Sequence, residues 1–139
     1  MVVTEILPNI WISDSSYSTD KIFLNKHNIK VVFNCTKNLP FTSLDLKKYR
    51  MPVDDSLKPT DQTEMLSYLP ELTNIMYLAY KTLSPVLVYC KVGIQRSATL
   101  IAAFLIRYTG IDYLSAIKII QSKHEFAFRP SINFLDTLK

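Results

Sequence analysis

The stretch from Val86 through Arg107 leaves the chain the fewest choices. Val86-Leu-Val-Tyr89 is a short, unbroken apolar run, the pattern of a strand covered on both faces of a parallel sheet. From Ser97 onward, Leu100, Ile101, Phe104, Leu105 and Tyr108 recur at three- and four-residue spacing, which predicts a helix packed along one face. Between the two stand Cys90, the five residues Lys91-Val-Gly-Ile-Gln95, and Arg96. Strand, tight loop and helix start therefore converge on one cysteine and one arginine. Gly93, one of two glycines in the chain, lies inside that loop.

Such a loop has a definite chemistry. Successive backbone N–H groups ahead of a helix form a concave anion nest, reinforced by the positive end of the helix dipole. Lys91, Val92, Gly93, Ile94, Gln95 and Arg96 are the predicted phosphate-binding residues, with the Arg96 guanidinium adding a fork for two oxygens. The same field favours a thiolate, since thiol pKa values fall to roughly 3.5–7.5 at helix N-termini and beside cations. A Cys90 thiolate facing a phosphate is poised for in-line attack and a phosphocysteine intermediate. Ser97 follows Arg96 and is placed to hydrogen-bond the sulfur when it leaves. On spacing alone, a cysteine after an apolar strand also reads as core and an arginine as surface. The strand–loop–helix context, with glycine inside the loop, favours catalysis.

These residues also resemble a known family. Cys90-x5-Arg96-Ser97 looks like the signature loop of cysteine-dependent protein phosphatases, and Ala98-Thr-Leu-Ile-Ala-Ala-Phe-Leu105 resembles their dual-specificity branch. Glu5-Ile-Leu-Pro-Asn-Ile-Trp-Ile12 is similar to that family's opening hairpin, and Ile29-Lys-Val-Val-Phe-Asn-Cys-Thr-Lys-Asn-Leu-Pro40 to its next strand and turn. Met51-Pro-Val-Asp-Asp-Ser56 resembles the loop that carries the general acid, and Arg129-Pro-Ser-Ile-Asn-Phe-Leu135 the start of the last helix. The likeness runs in order along nearly all 139 residues. It implies one dual-specificity phosphatase-like catalytic domain over residues 1–139, metal-independent and without a cofactor. Its implied substrates are proteins carrying phosphotyrosine together with phosphoserine or phosphothreonine.

The bounds of the chain fit one domain with a real core. Hydrophobic residues at 48% and charged residues at 20% exclude a disordered composition. A net charge of +4 suits acidic, phosphorylated partners and is too diffuse to predict nucleic-acid binding. Cys35 and Cys90 are the only cysteines, too few for a disulfide framework, so a reducing compartment is expected. No secretory pattern and no apolar run of about 18 residues occurs. The expectation is a cytoplasmic chain with no membrane partner, the nucleus and a homodimer being left open.

Along the chain, Val2 to Ser13 reads as two short strands broken at Pro8-Asn9. Lys21 to His27 predicts a short helix, Val31 to Cys35 a buried strand, and Leu46 to Val53 another strand. Asp54 to Thr60 reads as an exposed loop in which Pro59 limits flexibility. Asp61 with Glu64 suggests a capping pair, opening a helix through Met65, Leu66, Leu69, Leu72, Ile75, Met76 and Ala79. Pro70 predicts a kink or a break in it. Gly110 predicts a helix stop, Asp112 a cap for a helix with Leu114, Ile117, Ile120 and His124 on one face, and Pro130-Ser131 a restart into a last helix ending at Lys139. Strands alternating with helices argue an α/β fold, a single domain with a central, mostly parallel sheet flanked by helices. Its site is expected at the carboxyl end of the central strand.

Breaking a phosphoester also requires a proton for the leaving oxygen. Asp54 and Asp55 are the candidates; alignment through Pro52-Val53 with the family's loop implies Asp55 as general acid and then base, with Asp54 the runner-up on the other face of the loop. Tyr89 departs from the family, which usually has histidine there. A phenol donates a hydrogen bond but carries no positive charge, so Tyr89 is a modulating residue expected to bring slower turnover or a more alkaline optimum. Gln95 replaces a small or hydroxyl residue and reads as solvated. His27 and His124 read as helix-end residues, and Cys35 as core. Lys91 and Arg129 either add positive potential at the pocket mouth or are plain surface charges. Two other readings stay open: a weakly active or inactive phosphoprotein-binding module, and a phosphatase for RNA 5′ ends or phosphoinositides. Relatives of the latter kind carry more basic residues in the loop, where this chain has Lys91 alone.

Overall fold

The computed structural model describes residues 3–129 and 131–138, the side chain of Asp136 excepted. Val2, Pro130 and Lys139, which mark predicted element ends, lie outside the described residues. The elements are β1 (Val3–Leu7), β2 (Ile10–Ser13), α1 (Lys21–Lys26), β3 (Val31–Asn34), β4 (Lys47–Arg50), α2 (Pro59–Lys81), β5 (Val86–Tyr89), α3 (Arg96–Thr109), α4 (Tyr113–Lys123) and α5 (Leu135–Leu138). They build one sheet in the order β1-β2-β5-β3-β4. Only the β1–β2 hairpin is antiparallel; β2–β5, β3–β5 and β3–β4 run parallel.

The all-apolar β5 takes the centre of the sheet, where both of its faces are covered, as they are for the neighbouring β3. Every one of its residues is buried. Successive side chains point to opposite faces, so Val86, Val88 and Cys90 enter the core built with α2, α3 and α4. Leu87 and Tyr89 enter a smaller core with Phe23 and Leu24 of α1. The apolar stripe of α3 packs as its spacing predicts: Leu100 and Ile101 are fully buried and Phe104 and Leu105 nearly so. Truncating such a side chain to alanine costs about 2–5 kcal/mol. In register, Tyr89 pairs with Ser13 on one side and Asn34 on the other, so the chain leaves β5 where three parallel strands end together.

Several details differ from the sequence reading. Pro70 does not break its helix; α2 runs unbroken from Pro59 to Lys81. Leu69, Leu72, Thr73 and Met76 bury its inner face on both sides of the proline, and Arg107 of α3 donates to the Pro70 carbonyl and to Thr73 Oγ1. Packing thus outweighs one lost backbone bond. Asp61 is not the cap, because Pro59 starts the helix earlier, after Lys58. Leu66 and Leu114 face solvent. The β4 ladder stops at Arg50, since the Val53 N–H turns back to the Met51 carbonyl at 2.9 Å. Gly110 ends α3 at φ +75° and Asp112 caps α4 through the Ser115 N–H, both as expected.

Candidate active site

The loop between β5 and α3 closes around one sulfur. Cys90 is 2% exposed. Its Sγ accepts the Gly93 N–H at 3.2 Å and lies 3.2 Å from Ser97 Oγ. Gly93 makes that turn at φ +82°, and a Cβ there would sit 2.7 Å from the backbone of Ser13 and Asp14. Only glycine fits on both counts. The outside of the loop is held through its carbonyls: Ser15 N–H donates to Lys91 at 3.2 Å, and Phe128 N–H to Ile94 at 2.7 Å. His124 Nε2 lies 2.9 Å from the Gly93 oxygen.

The arginine and the acid meet across this loop. Arg96 Nη1 donates to the Val53 carbonyl at 3.0 Å, which ties the start of α3 to the root of the 54–57 loop. A guanidinium has five N–H donors, so this bond leaves ample capacity for a phosphate. Asp55 Oδ1 accepts from Asn133 Nδ2 at 2.8 Å. Asp55, Cys90, Val92, Ile94, Gln95, Arg96, Arg129 and Asn133 line one cavity of about 230 Å³. Asp54 pairs instead with Lys37 at 3.2 Å, both half-exposed. That pair and Lys91 line an adjoining trough of about 490 Å³, which shares Asp55 and Arg96 with the first cavity. A larger cavity of about 580 Å³, between β4 and the end of α2, holds none of these groups. Chemistry rather than size marks the site.

One residue, Gln95, behaves differently from its sequence reading. Gln95 is buried, not solvated: its Nε2 donates to the Arg129 and Ser131 carbonyls at 3.1 and 2.7 Å, and its Oε1 accepts the Asn133 N–H at 3.0 Å. It straps the 129–133 segment beside the phosphate loop. The buried Tyr89 hydroxyl donates to the Pro40 carbonyl at 3.0 Å, one residue beyond Leu39 of the trough wall. Burial pushes its pKa up to about 12, so the phenol stays neutral there. Arg50 holds the same wall through the Thr36 and Leu39 carbonyls at 3.0 and 2.9 Å.

Sequence reasoning missed Asn133 and the role of Gln95, and saw His124 only as a helix end. No local pattern marks them, because their partners lie 31 to 78 residues away in the chain. His27 closes α1 and packs against Trp11 with ring centroids 4.4 Å apart and the planes tilted by 48°. Cys35 is fully buried; burial pushes its thiol pKa well up, with Cys90 adding to the rise and Arg96 opposing it. Among the described residues no group of three or more His, Cys, Asp or Glu is placed to hold a metal ion. No described helix is long and apolar enough to cross a membrane.

Comparison with known proteins gives a consistent result. The family model of the dual specificity phosphatase catalytic domain matches residues 10–139. Dual specificity protein phosphatase Mpk3 of Drosophila melanogaster is 28% identical over 96% of this chain and 32% of its own length. Human dual specificity protein phosphatase 6 is 29% identical over 96% of this chain and 35% of its own. The chain thus spans about a third of the length of these curated relatives. The crystal structure of human DUSP28 superposes with a TM-score of 0.86 at 22% identity, covering 98% of this chain and 89% of that one.

Proposed function

From the premise that the chain belongs to the dual specificity phosphatase family of cysteine-dependent phosphatases, we propose that it hydrolyses phosphotyrosine and phosphoserine or phosphothreonine in proteins. The Cys90 thiolate attacks phosphorus in line; the S–P bond forms as the ester P–O bond breaks. Asp55 gives its proton to the leaving oxygen, a role worth about 10²–10⁴-fold in rate. Arg96 and the N–H groups of the loop hold the three remaining oxygens. In the second step Asp55, now a carboxylate, takes a proton from water as that water attacks phosphorus. The S–P bond breaks, Ser97 Oγ–H donates to the departing thiolate, and inorganic phosphate leaves. No metal or cofactor enters either step.

The observation that carries this reading is the shared cavity: nucleophile, phosphate fork and acid line the same 230 Å³. That volume accommodates a phosphate head, and the adjoining trough offers room for the polypeptide on either side of it. Hydrolysis of a small aryl phosphate across pH tests the proposal, using wild type, Cys90→Ser and Asp55→Asn. Turnover should vanish in Cys90→Ser and fall about 10²-fold or more in Asp55→Asn, least for the best leaving groups. A folded wild type with no turnover at any pH, yet with affinity for phosphopeptides, makes the chain a phosphate-binding module instead. Turnover confined to phosphoinositides or RNA 5′ ends leaves the mechanism and moves the substrate class.

A further inference from the structure

The outward side of the phosphate loop is gripped by the segment that follows α4. Two consecutive loop carbonyls are engaged there, Gly93 by the His124 ring at 2.9 Å and Ile94 by the Phe128 N–H at 2.7 Å. Phe128 makes its bond from a left-handed backbone conformation, φ +65°. Such strain costs about 1–3 kcal/mol in a non-glycine residue and persists only where surrounding contacts impose it. His124 itself is buried and spans two elements, its Nδ1 lying 2.9 Å from Thr4 Oγ1 on β1.

The chemistry of this chain of contacts has one solution for a neutral ring. A carbonyl only accepts, so Nε2 carries the proton and donates to Gly93; Nδ1 is then bare and accepts the Thr4 hydroxyl proton. In a trans peptide the C=O and the next N–H point in opposite directions. Holding the Gly93 oxygen toward α4 therefore turns the Ile94 N–H away from His124, toward the cavity that Ile94 lines. The preceding amide, Gly93 N–H, already faces Cys90 Sγ.

We propose that His124, its tautomer set by Thr4, is a positioning residue of the phosphate loop that holds the Gly93–Ile94 peptide with its N–H toward the bound phosphate. The proposal rests on the phosphatase reading above and deepens it. It assigns to a residue 34 positions beyond the nucleophile an ordering task that the family resemblance attaches to position 89, where this chain has tyrosine. Burial lowers the His124 pKa, in keeping with the neutral, donating ring.

The test is tungstate binding by calorimetry alongside aryl phosphate turnover, on the intact chain. His124→Leu should weaken tungstate binding and lower kcat/KM by about tenfold, the worth of one anion-facing donor. His124→Gln, which restores an N–H donor, should recover both to within about threefold, and Thr4→Val should lose about threefold. Folded variants with lowered Tm but wild-type tungstate affinity and turnover overturn the proposal. Where His124→Leu fails to fold, Thr4→Val decides: an unmoved Ile94 amide resonance with unmoved tungstate affinity overturns it. A folded wild type that neither binds tungstate nor turns over sinks the phosphatase reading first, a result distinct from either of these.

Discussion

The two loops that meet at the active site are built on opposite plans. The phosphate loop turns its inner residues away from solvent: Cys90, Gly93, Gln95 and Ser97 are all inaccessible or nearly so, while Lys91 and Val92 face outward, and backbone groups take part in most of its bonds. The acid loop at 54–57 is largely exposed and is held by single side chains: Arg96 at its root, Asn133 on Asp55, Lys37 on Asp54, and Asp61 on Ser56. A buried backbone cradle has few alternatives, so its geometry is all or none. An exposed loop on separate tethers is adjustable one tether at a time. The difference suits the proposed reaction, in which phosphate would always meet the same cradle, whereas the acid would serve two steps with a leaving group and then a water.

The contrast is broken most severely at Gly93. Gly93→Ala adds a Cβ 2.7 Å from neighbouring backbone at φ +82°, so aryl phosphate kcat/KM should fall by about 10²-fold or more, with a clear drop in Tm. A variant with near wild-type activity removes the rigid-cradle argument. On the other loop, Asn133→Ala releases the Asp55 carboxylate and should lower kcat by about tenfold while leaving Tm near wild type. Equal losses of rate and stability there mean that Asn133 serves the fold rather than the acid.

The two smaller effects are in stability. Burial pushes the Asp61 carboxyl up, but hydrogen bonds from the Ser56 hydroxyl and N–H and from the Lys58 backbone N–H outweigh it, and its pKa is lowered overall. A carboxylate favoured in the folded state stabilises fully above its unfolded pKa of about 3.9, and that contribution disappears as pH falls through the folded value. Asp61→Asn should therefore flatten the acid end of a Tm-against-pH curve and leave neutral turnover within about threefold. Tyr89 works at the other end. Its phenol is pushed up to about 12, so the neutral form stabilises fully below the unfolded pKa of about 10 and is lost as pH rises through the folded one. Tyr89→Phe should remove that alkaline decline and cost about 1 kcal/mol for the bond to Pro40. A change in the pH profile of turnover at neutral pH instead ties Tyr89 to the thiolate and not to the Pro40 carbonyl alone.

Legibility followed sequence distance. The strand, loop and helix around Cys90 were readable because each rests on a local cause: an apolar run, a glycine at positive φ, a 3.6-residue stripe. So were the caps at Gly110 and Asp112 and the fold class itself. The reading failed where a distant partner decides. Pro70 sits in a continuous helix because α3 packs against it, Gln95 is buried because the 129–133 segment supplies three backbone partners, and Leu114 is exposed because α4 turns Ala116, Ile117 and Ile120 inward. By itself, then, the sequence determined the order of elements, the strand–loop–helix crossing around Cys90 and the residue types to which the proposed chemistry is assigned. The tertiary structure alone decided which groups hold that chemistry in place, Asn133 on the acid and His124 and Phe128 on the loop. Their bonds close over tens of residues, and no periodicity or local propensity records which distant backbone group a side chain will meet.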